Sequence, residues 1–239
     1  MQDHIADSKS EAQALRAAFA DVETWIFDLD NTLYSAECRL FDQIDRRMTD
    51  FIAEELNLEA GAANALRAEY WRSHGTTLNG LMREHGMAAE TFLDFVHDID
   101  LSAMPAAPDL ADAIASLPGR KIVHTNGSRR HAERVTAQLG LAACFEALFG
   151  IEDSDLIPKP QREAYERVAL RGGVEPSRAA MLEDTARNLI EPHNMGMRTI
   201  WTPTGCAMAG EGADDGHVHF VAADLAPFLT RLAGALGSD

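Results

Sequence analysis

The chain has 239 residues, 46% of them hydrophobic and 25% charged, and a formal net charge of −17. That length builds one large domain or two smaller ones with a proper core, and the composition is ordinary for a soluble globular protein. So acidic a chain is unsuited to nucleic-acid polymers and anionic membranes, which need a basic face, but a small anionic substrate stays open if cations are concentrated locally.

The polar, acidic first residues lack a signal-like apolar core and no apolar run is long enough to span a bilayer, so a cytoplasmic protein is expected. Cys38, Cys144 and Cys206 are widely spaced with no C-x-x-C pair. They read as free thiols in a reducing compartment rather than a disulfide frame or zinc site.

Ser8 and Glu11 have capping-box spacing and predict a short helix over 11–20. The apolar, β-prone run 24–28 predicts a strand that delivers Asp28 and Asp30 to its end. Alternate residues of an extended chain point the same way, so both carboxylates could face one site. Two close acids repel unless a cation or a shared proton intervenes. The alternative is a strand followed by an Asp/Asn-rich turn.

From 35 to 104 the apolar residues recur at helical spacing in four groups: Leu40 to Leu56, Leu66 to Trp71, Leu78 to Met82, and Phe92 to Val96. Gly61, Gly75 and Gly86 separate them, which predicts four helices and no strand. After Pro105 and Pro108 strands and helices alternate. Strands are expected at 121–125, 147–150, 179–182, 198–201 and 218–221, and helices at 110–117, 129–139, 161–171, 186–195 and 225–232. The Gly-rich stretch 205–216 reads as a mobile loop. Repeated β-α units imply an α/β fold with a doubly wound, mostly parallel sheet. That domain would comprise 1–34 and 105–239, with the all-α insertion 35–104 placed beside the ligand-bearing strand end, where a lid would sit.

Three more segments carry polar groups near strand ends. Thr125, Asn126 and Ser128 offer hydroxyls and backbone N–H groups where a helix begins, which suits a phosphate oxygen or serves simply to cap the helix. Lys159 stands between Pro158 and Pro160, which fix the local chain and suit it to neutralise a carboxylate and a phosphoryl oxygen. Glu183 and Asp184 end an apolar run before a helix that Asp184 could equally cap.

In order and spacing, Asp28-Leu29-Asp30-Asn31-Thr32-Leu33, Thr125-Asn126, Lys159-Pro160 and Glu183-Asp184 resemble the four motifs of the haloacid dehalogenase-like hydrolase superfamily. The helical insertion after the first motif is similar to that superfamily's type-one cap. Asp30 to Tyr34, Tyr70-Trp71, Gly75 to Met82, Phe95 to Asp100, Thr125 to Ala132 and Glu183 to Leu189 look more closely like its pyrimidine 5′-nucleotidase branch. The resemblance implies that Asp28 is a nucleophile forming an aspartyl-phosphate, and that Asp30 is the acid and then the base. It implies Mg²⁺ held by the Asp28 carboxylate, the Asp30 backbone carbonyl and Asp184, with Lys159 neutralising further charge and Glu183 behind the metal or orienting its water. Thr125 and the Asn126 amide would hold the phosphoryl group. An acid at Asp30 points to phosphate esters, because the superfamily's dehalogenases lack one there and need no metal.

The partner implied is a small phosphorylated metabolite, with UMP or CMP leading and a sugar phosphate or phosphoglycolate as the alternative. A non-catalytic binding protein on this fold is the reading from another class, and a monomer or homodimer is expected. Substrate choice would fall to the insertion, with Thr76, Thr77, Asn79 and His97 as candidate polar contacts and Arg129 as a further candidate from the sheet domain. Tyr70 and Trp71 could stack on a ring, although aromatics at helical spacing usually pack in a core. His97 reads equally as a helix-end residue, as do His74 and His85.

Overall fold

The structure, a computed structural model, describes residues 2–237. In chain order its helices are α1 (Gln2–Phe19), α2 (Leu40–Leu56), α3 (Ala60–His74), α4 (Thr77–His85), α5 (Ala89–Val96), α6 (Pro108–Ser116), α7 (Arg129–Leu139), α8 (Arg162–Gly172), α9 (Ile190–Asn194) and α10 (Leu225–Gly237). Its strands are β1 (Thr24–Phe27), β2 (Arg120–His124), β3 (Ala147–Phe149), β4 (Ala179–Glu183), β5 (Arg198–Trp201) and β6 (Phe220–Val221).

They form one six-stranded sheet in the order β3-β2-β1-β4-β5-β6, with every pairing parallel. The aromatic and β-branched run Trp25-Ile26-Phe27 suits a central strand buried on both faces, and all four β1 residues are buried. Trp25 and Phe27 join Leu182, Val123 and residues of α1, α6, α7 and α10 in one core. Ile26 faces the other way, with Ile122, Met181 and Val168 of α8. The sheet is therefore covered on both sides, as the alternating pattern predicts.

Parallel register brings three strand ends level. Phe27 lies opposite both Val123 and Leu182, so the chains leaving β1, β2 and β4 emerge together at one edge. The Asp28 N–H still donates to the Leu182 carbonyl at 2.9 Å, carrying the ladder one residue past the strand.

Helices α2 to α5 occupy the interval between β1 and α6, and no strand interrupts them. They bury a cluster of their own, including Phe51, Ile52, Tyr70, Leu81 and Phe92, to which Ile151 contributes from beyond β3. Where α3 and α4 meet, a Cβ on Gly80 would lie 2.3 Å from Tyr70 Cγ. Gly80→Val should overpack this contact and destabilise the protein by about 1–3 kcal/mol, read as a lower denaturant midpoint at constant slope.

Some boundaries differ from those expected. Helix α1 begins at Gln2, so Ser8 falls within it and not at its start, since no Gly or Pro interrupts the residues upstream. Gly61 lies in the first turn of α3, while α2 ends at Asn57 in the left-handed region. The segment expected as a helix over 186–195 splits into a 3₁₀ turn, Ala186–Leu189, and the short α9. Pro192 lacks the N–H that a continuous helix would aim at the Asn188 carbonyl, which accepts the Tyr165 hydroxyl at 2.6 Å instead. The 205–216 stretch makes turns packed on the sheet domain, with Ala209 accepting from the Ala186 N–H at 2.7 Å. Among the described residues no helix is long and apolar enough to cross a membrane.

Candidate active site

Asp28, Lys159, Glu183 and Asp184 meet at the carboxyl edge of the central strands, and all four are buried. The Lys159 ammonium donates to Asp28 Oδ1 at 2.6 Å, to Glu183 Oε2 at 2.6 Å and to the His124 carbonyl at 3.0 Å. Its backbone is fixed as well: the Asn126 side chain accepts from the Lys159 N–H at 2.8 Å and donates to its carbonyl at 3.1 Å. The amide of Asn126 thus spends both its ends on positioning the lysine.

Three carboxylates around one ammonium leave negative charge uncompensated. Burial, and then the nearby Glu183 carboxylate, push Asp28 up from 3.8 to about 7 against the pull of Lys159. Burial, Glu183 and Asp28 together push Asp184 up to about 10. Burial disfavours the charged lysine, yet Asp28 and Glu183 carry Lys159 above its ordinary range. One ligand atom from each of Asp28, Glu183 and Asp184 lies within 4.8 Å of the others. An all-oxygen, buried, over-charged donor set without His or Cys fits Mg²⁺ and not zinc.

Asp30 turns elsewhere. Its Oδ1 accepts from the Tyr34 hydroxyl at 2.7 Å and lies 2.8 Å from His131 Nε2. Burial pushes this carboxyl up, but the His131 ring and the Tyr34 hydroxyl outweigh it and hold Asp30 at about 2. Asn31 makes the turn possible. It adopts the left-handed region at φ 62°, which Asn tolerates better than a branched residue, and Leu33 N–H bonds back to the Leu29 carbonyl at 3.0 Å.

Thr125 is buried at the end of β2, and its hydroxyl accepts from the Gly127 N–H at 2.9 Å. Helix capping falls to Ser128, which accepts from the His131 N–H at 3.2 Å. Asp184 does not cap the following turn: its neighbour Thr185 occupies that position.

A cavity of about 450 Å³ opens over these groups, within the range of small-molecule sites. Asp28, Asp30, Thr125, Asn126, Lys159, Glu183 and Asp184 line its floor. The helical insertion supplies an apolar wall with Ile44, Met48 and Phe92, and polar groups from Arg67, Asp45, Thr76 and Thr77. Arg67 is ion-paired with Asp45 at 2.6 Å. Arg187, from the turn after β4, lies over the Trp71 ring at 4.4 Å and joins the two sides of the cavity.

The candidates for substrate contact separate. Thr77 and His97 line the cavity, although Thr77 spends its hydroxyl on the Arg67 carbonyl at 3.2 Å. Asn79 and Arg129 are not among its lining residues. The Asn79 amide donates to the His74 carbonyl at 3.0 Å, closing the end of α3. The Arg129 guanidinium is held by Asp153, which draws it off the site. Tyr70 is a core residue, bonded to His85 Nε2 at 2.7 Å, whereas its neighbour Trp71 faces the cavity. Tyr34, His131 and Arg187 also belong to the site, although the sequence alone does not mark them out. The first lies four residues after Asp30, and the other two follow strand-end motifs already singled out, within a helical turn or two.

The family model for haloacid dehalogenase-like hydrolases matches residues 22–196. The chain is 23% identical over 198 residues to phosphate metabolism protein 8 of Saccharomyces cerevisiae, a match covering 73% of this chain and 60% of that protein. It thus spans less than two thirds of that curated relative. Among solved structures, a HAD family hydrolase from Deinococcus radiodurans R1 with bound phosphate and sodium is 22% identical with a TM-score of 0.55, covering 92% of this chain and 100% of that one. The magnesium-bound HAD-hydrolase YfnB of Bacillus subtilis is 17% identical with a TM-score of 0.53, covering 91% and 99%. These similarities in structure speak to the fold.

Proposed function

The chain belongs to the haloacid dehalogenase-like hydrolase family, and on that premise we propose that it is a Mg²⁺-dependent phosphomonoesterase acting through an aspartyl-phosphate, with pyrimidine nucleoside monophosphates such as UMP or CMP as substrates. The observation that carries the reading is Asp28, buried against Lys159 at 2.6 Å, with a second carboxylate two residues on at Asp30.

Asp28 and Asp184 would hold the metal with their carboxylates and Asp30 with its backbone carbonyl, while Glu183 sits behind them anchored to Lys159 at 2.6 Å. Bound there, Mg²⁺ supplies charge that offsets both the carboxylates and the phosphoryl oxygens. Lys159 favours the anionic form of Asp28 against burial and Glu183 and orients it, so that one of its oxygens can attack phosphorus. Thr125 and the Asn126 backbone N–H would receive the phosphoryl oxygens, with Asn126 also fixing Lys159. Asp30 would give its proton to the leaving alkoxide and then accept one from the water that cleaves the aspartyl-phosphate. Its carboxyl is ionised in the free enzyme, and an arriving phosphate dianion raises its proton affinity.

The insertion would act as a cap over the leaving group. Its apolar wall and the Trp71–Arg187 platform favour a planar ring over a hydroxyl-rich sugar. A panel of phosphorylated metabolites tests this: UMP and CMP should turn over fastest, EDTA should abolish turnover, and added Mg²⁺ should restore it. A flat response to nucleotides beside rapid hydrolysis of a sugar phosphate or phosphoglycolate defeats the substrate assignment alone. Inactivity toward every monoester, p-nitrophenyl phosphate included, defeats the phosphatase reading.

A further inference from the structure

We propose that His131 is a positioning residue for Asp30, fixing which carboxylate oxygen meets the leaving group; this rests on the phosphatase reading above. His131 lies in the first turn of α7 and is fully buried. Its Nε2 is 2.8 Å from Asp30 Oδ1. Its Nδ1 is buried with no hydrogen-bond partner among the described residues. An apolar side chain of similar size would spare the cost of that unpartnered nitrogen, so packing alone does not account for an imidazole here. What the ring does with its other nitrogen does.

The Tyr34 hydroxyl bonds the same Oδ1 at 2.7 Å. Two donors converging on Oδ1 hold the carboxyl in one rotamer and leave Oδ2 as the oxygen that serves the substrate. The His131 ring is itself braced. His97 stacks on it with centroids 4.3 Å apart and planes 14° from parallel. His97 Nδ1 lies 3.0 Å from the Ser128 hydroxyl, and its carbonyl accepts from Arg134 at 2.5 Å. His97 directly follows α5, so the chain leaving the insertion is pinned against the ring that orients Asp30.

In the first step an Asp28 oxygen bonds phosphorus, the bond from phosphorus to the leaving oxygen breaks, and that oxygen takes the proton carried by Asp30 Oδ2. Misplacing Oδ2 therefore matters only when the leaving oxygen needs a proton. The quantity to measure is kcat/KM, which stops at this step and excludes the later hydrolysis that all substrates share. His131→Ala and His131→Gln, in the full chain with Mg²⁺, are compared on p-nitrophenyl phosphate, whose phenolate leaves unaided, and on the best alkyl monoester of the metabolite panel.

The Ala variant should lose about 10- to 100-fold on the alkyl ester, short of the full worth of an acid catalyst because Tyr34 remains. It should lose less than about threefold on p-nitrophenyl phosphate. The Gln variant, whose amide nitrogen can reach the place of Nε2, should recover part of the alkyl activity. Equal losses on both substrates in both variants, or no loss in either, overturn the proposal. If the wild-type protein hydrolyses neither substrate, the phosphatase reading falls and this inference with it, a result distinct from equal losses in an active enzyme.

Discussion

Replacing Asp28 by Asn should lower p-nitrophenyl phosphate hydrolysis by at least about 10⁴-fold, since it removes the attacking group and leaves only binding and electrostatics. The variant should nevertheless fold, because Asn matches Asp in shape and Lys159 keeps Glu183 and the His124 carbonyl as partners. Its stability carries a second expectation. Asp28 is raised from 3.8 in the unfolded chain to about 7 in the fold, first by burial. A carboxyl raised in this way binds its proton more tightly in the folded protein, so wild-type stability declines as pH rises from 3.8 through about 7. Asn carries no such penalty. In EDTA, the variant's melting temperature should therefore exceed the wild type's at pH 8, and the difference should narrow toward pH 5. Beryllofluoride should form an adduct with the wild type and none with the variant. Retained hydrolysis in Asp28→Asn would overturn the mechanism, and failure of the wild type to form the adduct would favour a binding protein.

Much of this was legible in the sequence for a physical reason. Strands buried on both faces need apolar residues in succession, so the stretches 25–27, 122–123 and 179–182 announce themselves, and each ends where polar residues begin. Parallel pairing then brings those ends together, which is why Asp28, Thr125 and Asp184 meet although the chain places them far apart. Lys159 reaches the same point from a loop because its length spans to Asp28 and because Asn126 fixes its backbone.

The side-chain partnerships were less legible. Asn79 and Arg129 carry the groups that a substrate contact would use, but nearer local partners claim them: the His74 carbonyl at a helix end and the Asp153 carboxylate. Tyr70 and Trp71 are neighbours on α3, yet roughly 100° apart around a helix axis, and one turns to the core while the other meets Arg187. No spacing rule assigns a face without knowing where the sheet domain lies. The same holds for His131, whose position in the first turn of α7 gains meaning only from Asp30, 101 residues earlier, at 2.8 Å.

Lys159→Met should cost stability as well as activity. The ammonium is the group that meets both Asp28 and Glu183, each at 2.6 Å, and its side chain is only 1% exposed. Met fills similar space without charge, so the change isolates the lost cation. Removing one partner of a buried ion pair typically costs about 3–5 kcal/mol, which for a chain of this size is a melting-temperature drop of roughly 6–20 °C. The direction with pH follows from the acids left behind. Asp28 and Asp184 already stand above 3.8 through burial and mutual repulsion, and losing Lys159 raises both further. A greater elevation makes the penalty grow as pH climbs from 3.8, so in EDTA the gap to wild type should be widest near pH 8 and narrow at pH 5, where protons replace the missing charge. Mg²⁺ should recover part of the stability at pH 8, because Asp28, Glu183 and Asp184 persist as a donor set. It should not recover turnover, expected to fall about 10³-fold, since charge directed at the phosphoryl group is lost with the lysine. A small gap that does not change with pH would mean that the acids are satisfied without Lys159, and the charge balance drawn for this site would be wrong.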